Sequence, residues 1–177
     1  GPMDALAITH ATNGTYLGVA PLGTSLTDEQ AAQLRQLGYR TPIVATDADL
    51  AGRVAAERDY WILTSYGHDP RHAALPDGTD PADLLAAGRV ATLVGALEEA
   101  APQAHQLINE RFAHLPAADA VLDALHVIAA QPAGRWEGGL QDIIARVHLP
   151  ASVLRTTLAD LVTAWNEDAR ACAQQGL

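Results

Sequence analysis

The chain contains no lysine; all 11 of its basic residues are arginine. Against them stand 21 acids, for a formal net charge of −10. Such a chain repels phosphate backbones unless cations or a separate basic surface intervene. There is a single cysteine, Cys172, which excludes an internal disulfide and fits a reducing, cytoplasmic setting. The seven histidines find no cysteine at zinc-ligand spacing, which excludes a structural zinc site. No apolar run is long enough to cross a bilayer and no signal peptide is visible, so no membrane association is expected. No internal repeat or low-complexity tract interrupts the chain.

What is present argues for a packed protein. Hydrophobic residues make up 49% of the 177, enough for one domain with a helical appendage and too many for wholesale disorder. Alanine and arginine without lysine suggest a GC-rich genome. Charge is uneven: residues 1–100 hold 13 acids against 6 arginines, and residues 101–177 hold 8 against 5. Any nucleic-acid clamp therefore lies elsewhere than in the acidic first half.

The first half alternates strand and helix signals. Asp4 to Ala11 reads as a helix, Tyr16 to Ala20 as a buried strand, and Pro42 to Thr46 as the next strand. Thr27-Asp28-Glu29-Gln30 matches a capping box ahead of a helix ending near Leu37. Leu50 to Tyr66 is a strong helix, with Leu50, Val54, Trp61 and Leu63 expected to form its apolar face. Arg71 to Leu75 is a weaker third strand. Alternation of this kind predicts an α/β fold with a parallel sheet whose strand ends share one rim, where ligands bind. Beyond about Val90 the pattern turns helical, punctuated by Pro102, Pro116, Pro132 and Pro150. Helices are expected over 90–100, 103–113, 118–130, 137–147 and 151–173. The reading divides the chain into an α/β domain over 1–95 and a helical bundle over 96–177.

Asp47 and Asp49 follow the apolar run Pro42–Thr46 and precede Leu50-Ala51-Gly52-Arg53. Two carboxylates at the mouth of a strand repel one another, and a cation, a proton or water must offset that repulsion. Oxygen-only ligands of this kind suit Mg²⁺. The plainer reading makes Asp49 a helix N-cap. Gly23-Thr24-Ser25, ahead of a capped helix, could present backbone N–H groups to a phosphate, or be an ordinary loop.

Three ordered motifs point further. Leu22-Gly23-Thr24-Ser25-Leu26-Thr27-Asp28-Glu29-Gln30, Asp47-Ala48-Asp49-Leu50-Ala51-Gly52 and Leu75-Pro76-Asp77-Gly78-Thr79-Asp80-Pro81 resemble the TOPRIM domain of DnaG-type bacterial primases. In that family a strand ending in glutamate precedes Gly-x-Met-Asp. Gly1-Pro2-Met3-Asp4 is similar to the latter part; whether Gly1-Pro2 is native or a tag scar, the expectation is a fragment that lacks the first strand and its glutamate.

The resemblance implies a carboxylate cluster binding Mg²⁺ or Mn²⁺ through Asp4, Asp47, Asp49 and Asp80. Asp47 and Asp49 would be catalytic; a nucleotide contact by Gly23, Thr24 and Ser25 is expected from their place before a capped helix, with an ordinary loop as the alternative. Where many primases read Asp-Pro-Asp, this chain reads Asp80-Pro81-Ala82-Asp83, which argues against Asp83 as a ligand.

The implied activity is metal-dependent nucleotidyl transfer in primer synthesis. Nucleoside triphosphates and DNA would be engaged through a larger primase-like protein, with a plasmid or mobile element as its source by analogy. The fragment alone is expected to be inactive. A helicase or another replication or transfer protein would dock on 96–177. The rival readings are nuclease- or topoisomerase-type TOPRIM chemistry and a non-catalytic docking module. The former is disfavoured because every tyrosine lies in the α/β part.

Overall fold

A computed structural model describes residues 1–23, 25–38, 41–47 and 49–176. Its first half is built around three short strands. Helices α1 (Pro2–Ala11) and α2 (Asp28–Gln36) precede β1 (Ile43–Val44). Then come α3 (Leu50–Ser65), β2 (Arg71–His72), α4 (Pro81–Ala86), α5 (Val90–Glu98) and β3 (Ala101–Pro102). The second half is helical: α6 (Gln103–His114), α7 (Ala117–Ala129), α8 (Ala133–Arg146), α9 (Ala151–Glu167) and α10 (Ala169–Gly176).

Local chemistry explains the boundaries. The Thr27 hydroxyl accepts the Gln30 N–H at 3.3 Å, and the Gln30 side chain accepts the Thr27 N–H at 2.9 Å. This is the expected capping box, and it opens α2. Helix α3 closes at Gly67, whose φ of +75° suits a residue without Cβ. Asp168 leaves helical geometry and accepts the Ala171 N–H at 2.9 Å. That cap splits the helix expected over 151–173 into α9 and α10.

The sheet runs β1-β2-β3. β1 and β2 are parallel, with Ile43 opposite Arg71 and Val44 opposite His72. β3 corrects the expectation of a purely parallel sheet, since it pairs antiparallel to β2. Two helices, α4 and α5, separate these strands where one crossover helix would restore direction.

Two further expectations are corrected. Tyr16 to Ala20 is not a buried strand; Leu17 and Val19 are 66% and 65% exposed. The segment lies against α1 instead. The Gly18 N–H donates to Thr9 Oγ1 at 2.9 Å, and a Cβ on Gly18 would meet the Ala5 carbonyl oxygen at 2.1 Å. The apolar face expected for α3 is also half wrong. Trp61 and Leu63 are buried, whereas Leu50 and Val54 are 70% and 53% exposed. The buried side of the first turns is made by Gly52 and Ala56.

Apolar clusters cover both faces of the sheet. Ala73, Leu75, Leu84, Leu93 and Leu97 pack with Ile8, Tyr16 and Ile43 on one side. Ala31, Val44, Ala56 and Leu63 pack with Leu26, Leu34 and Ile62 on the other. The largest cluster joins Tyr60 and Trp61 of α3 to Leu107, Ile108, Leu125, Ile128, Leu140, Ile143 and Leu154 of the helical half.

Helix α3 thus belongs to both halves. Its buried polar groups fix it there: Tyr60 Oη donates to the Val127 carbonyl at 2.7 Å, and Gln103 Nε2 donates to the Ala56 carbonyl at 2.6 Å. Glu57 pairs with Arg111 of α6. One end of α3 is anchored in the bundle, and the other carries Asp49.

Candidate metal-binding rim

Four acidic side chains come to one edge of the molecule from four places in the chain. Asp47 stands just past β1, Asp49 at the head of α3, Asp80 at the head of α4, and Asp4 in the first turn of α1. Partial burial holds Asp47 above the ordinary carboxylate range, and the charges of Asp4, Asp80 and Asp49 raise it further. The chain's amino group opposes them. The three neighbours therefore lie close enough to Asp47 for each to resist its ionisation.

Backbone donors hold three of these carboxylates in place. Asp49 Oδ1 accepts the Gly52 N–H at 2.7 Å, so the plain N-cap reading of Asp49 is also correct. Asp80 Oδ1 accepts the Asp83 N–H at 2.6 Å and caps α4. Asp4 Oδ1 accepts the Ala82 N–H at 3.2 Å, so α4 is held by an aspartate from α1 as well as by its own. Asp4 Oδ2 faces the amino group of Gly1. One oxygen on Asp49, one on Asp80 and both on Asp47 accept no hydrogen bond among the described residues.

Close backbone packing brings Asp47 and Asp49 together. A Cβ on Gly52 would stand 2.0 Å from the Asp47 carbonyl oxygen. Only glycine lets the first turn of α3 lie this near the chain leaving β1.

The remaining candidates fall as follows. Gly23 is exposed, with nothing within 4 Å of the position its Cβ would take. Ser25 is half-buried. Thr24 lies outside the described residues. Asp83 is exposed in the first turn of α4, where it suits the helix dipole. Sequence reasoning missed Thr46, whose Oγ1 is buried without a hydrogen-bond partner among the described residues. Its place directly before Asp47 was the available signal.

The donors are hard oxygens, the kind Mg²⁺ and Mn²⁺ take. Among the described residues, no three His, Cys, Asp or Glu side chains are grouped closely enough to hold an ion in common. The donor set therefore fits a hydrated ion touching one or two carboxylates, and does not fit a dry protein cage.

The sequence pattern of the Toprim-like family matches residues 1–85. The DNA primase of Halalkalibacterium halodurans is 41% identical over 85 residues, which are 48% of this chain and 14% of that protein. Residues 1–85 are a TOPRIM domain of the DnaG-primase type.

Solved structures extend the likeness past the TOPRIM domain. A DnaG primase catalytic domain bound to single-stranded DNA is 28% identical with a TM-score of 0.70, covering 86% of this chain and 50% of that one. A DNA primase domain from Pseudomonas aeruginosa gives 23% identity and a TM-score of 0.70, covering 92% of this chain and 52% of that one. The shared fold thus takes in helices beyond the TOPRIM domain, while this chain spans about half of each solved primase domain. No helix among the described residues is long and apolar enough to cross a membrane.

Proposed function

We propose that the TOPRIM domain supplies the acidic metal site of a primase-like protein that joins nucleotides into primers on DNA. The observation that carries this reading is the placement of Asp4, Asp49 and Asp80 around Asp47 at one rim, where their charges oppose the ionisation of Asp47. Carboxylates so arranged gain when a divalent cation offsets their repulsion. The match of residues 1–85 to Toprim-like sequences supports the same assignment.

In this reading Asp47 and one of its capping neighbours, Asp49 or Asp80, would hold a hydrated Mg²⁺ or Mn²⁺. Such an ion offsets phosphate charge and aligns a 3′-hydroxyl when bound. The chain's own residues set the geometry. Asp49 and Asp80 are locked by their helix caps, and Gly52 holds the peptide of Asp47 against α3. Gly23, Thr24 and Ser25 would meet the nucleotide from the loop ahead of α2. With 13 acids against 6 arginines in residues 1–100, grip on the template falls to another part of the parent protein.

Mn²⁺ titration followed by electron paramagnetic resonance tests the assignment. The chain should take up Mn²⁺ with millimolar or better affinity, and Asp47→Asn should weaken uptake at least tenfold while the melting temperature holds. Equal uptake by both proteins overturns the proposal and favours a non-catalytic docking module.

A further inference from the structure

Helix α10 crosses from the helical half to the TOPRIM domain. The chain turns at Asp168, which leaves helical geometry at φ −150° and ψ 83°. Beyond it α10 packs on both α9 and α3. Near its start, Arg170 Nη2 donates to Asp28 Oδ2 at 2.5 Å, 142 residues away in the chain. The same guanidinium lies 5.9 Å from the ring centre of Tyr66, the residue that ends α3. At the far end Gly176 lies against Trp61, where a Cβ would stand 2.6 Å from the indole.

Asp28 is the first residue of α2, directly after the Thr27 cap. Helix α10 therefore holds the head of α2. Neither helix is firmly seated by itself. Ala31 is the one fully buried residue of α2, and Ala173 the one of α10. An alanine brings little apolar area, so burial attaches each helix only weakly. Packing beneath α10 is also incomplete. A cavity of about 220 Å³ lies among Cys172 and Gln175 of α10 and Trp61, Arg111 and His126. A void withholds contact atoms from its lining. Segments with few buried contacts open at a lower free energy than the core.

We propose that α10 is a strap that closes from the helical half onto the head of α2, and that the two helices open and close as one unit. Arg170 is the link. Its charge meets Asp28 where the α2 dipole already favours an acid, and its planar face covers Tyr66. Ser25 and Leu26 lead directly into α2, so the strap sets the order of the segment proposed to meet the nucleotide. That consequence rests on the nucleotide reading; the opening unit does not.

Amide hydrogen exchange of the full chain, followed by NMR over a series of urea concentrations, tests the strap. The amides of Ala31 and Ala173 should exchange through one shared opening, with equal urea dependence. That dependence should be smaller than the one shown by Leu125 in the core of α7. Arg170→Ala should speed both amides about fivefold, the worth of an exposed ion pair joined to a cation–π contact. Gly176→Ala crowds Trp61 at the other end of α10 and should speed Ala31 by the same factor as Ala173. In an Arg170→Ala background Gly176→Ala should speed residue 173 alone, because the link is gone. Ala173→Gly loosens α10 by a different route and should repeat both results, so the question is decided even if Gly176→Ala fails to fold.

An Ala31 amide indifferent to Gly176→Ala and Ala173→Gly while Arg170 is in place shows two independent helices and overturns the proposal. So does exchange of Ala31 and Ala173 only with Leu125, in global unfolding. A response of Ala31 to loosened α10 that persists without Arg170 overturns it as well.

Discussion

Gly52 presses against the backbone of Asp47 so closely that a single added carbon would lie 2.0 Å from the carbonyl oxygen. The same glycine donates its N–H to Asp49 Oδ1. One residue without a side chain thus sets the spacing of two acids.

Gly52→Ala is expected to force α3 away from the chain after β1. Overpacking of a tight backbone contact costs about 1–3 kcal/mol. Chemical denaturation should register the loss, and Mn²⁺ uptake should fall by more than the lost stability explains. An alanine variant as stable as the parent would mean that the contact relaxes freely.

Helix α3 links this rim to the helical half through Tyr60, whose hydroxyl reaches the Val127 carbonyl in the last turn of α7. Carbonyls at helix ends lack intrahelical donors, so the tyrosine supplies one. Tyr60→Phe leaves that carbonyl buried and unpaired, at a cost of about 1–3 kcal/mol. Urea unfolding of the two proteins checks this, and an unchanged midpoint would contradict it.

Asp59 gives a pH dependence with a definite sign. Burial raises its carboxyl above the ordinary range, against the opposing Leu26 N–H and Arg58. A raised folded-state value means that its contribution to stability is fully present below the unfolded carboxylate value. It is lost as pH rises through the folded one. Asp59→Asn keeps an acceptor for Leu26 and removes the buried charge. Its melting temperature should exceed the parent's at pH 7, and the advantage should vanish at low pH. An advantage at low pH alone would reverse the sign and refute the account.

Much of this arrangement was legible in the sequence, for reasons that are local. Thr27 and Gln30 form the capping box that their spacing implies, and Asp49 caps the helix it precedes. Gly67 ends α3, and Trp61 and Leu63 lie in the core.

What the sequence concealed depended on tertiary placement. Tyr16 to Ala20 is a short apolar run like a buried strand, yet Gly18 fastens it to α1. Leu50 and Val54 have the helical period of a buried face, but nothing among the described residues comes to cover them. The acids of the rim were legible as motifs. That Asp4 also holds the head of α4, 78 residues away, required the fold.

The most direct measurement is a carbon-13 NMR titration of the Asp47 carboxyl with and without Mg²⁺. The account predicts a midpoint above the ordinary carboxylate range in the absence of metal. Mg²⁺ should lower that midpoint, because the ion binds the charged form and offsets Asp4, Asp49 and Asp80. An ordinary midpoint indifferent to Mg²⁺ would contradict the claim that this acidic rim holds a hydrated cation at Asp47.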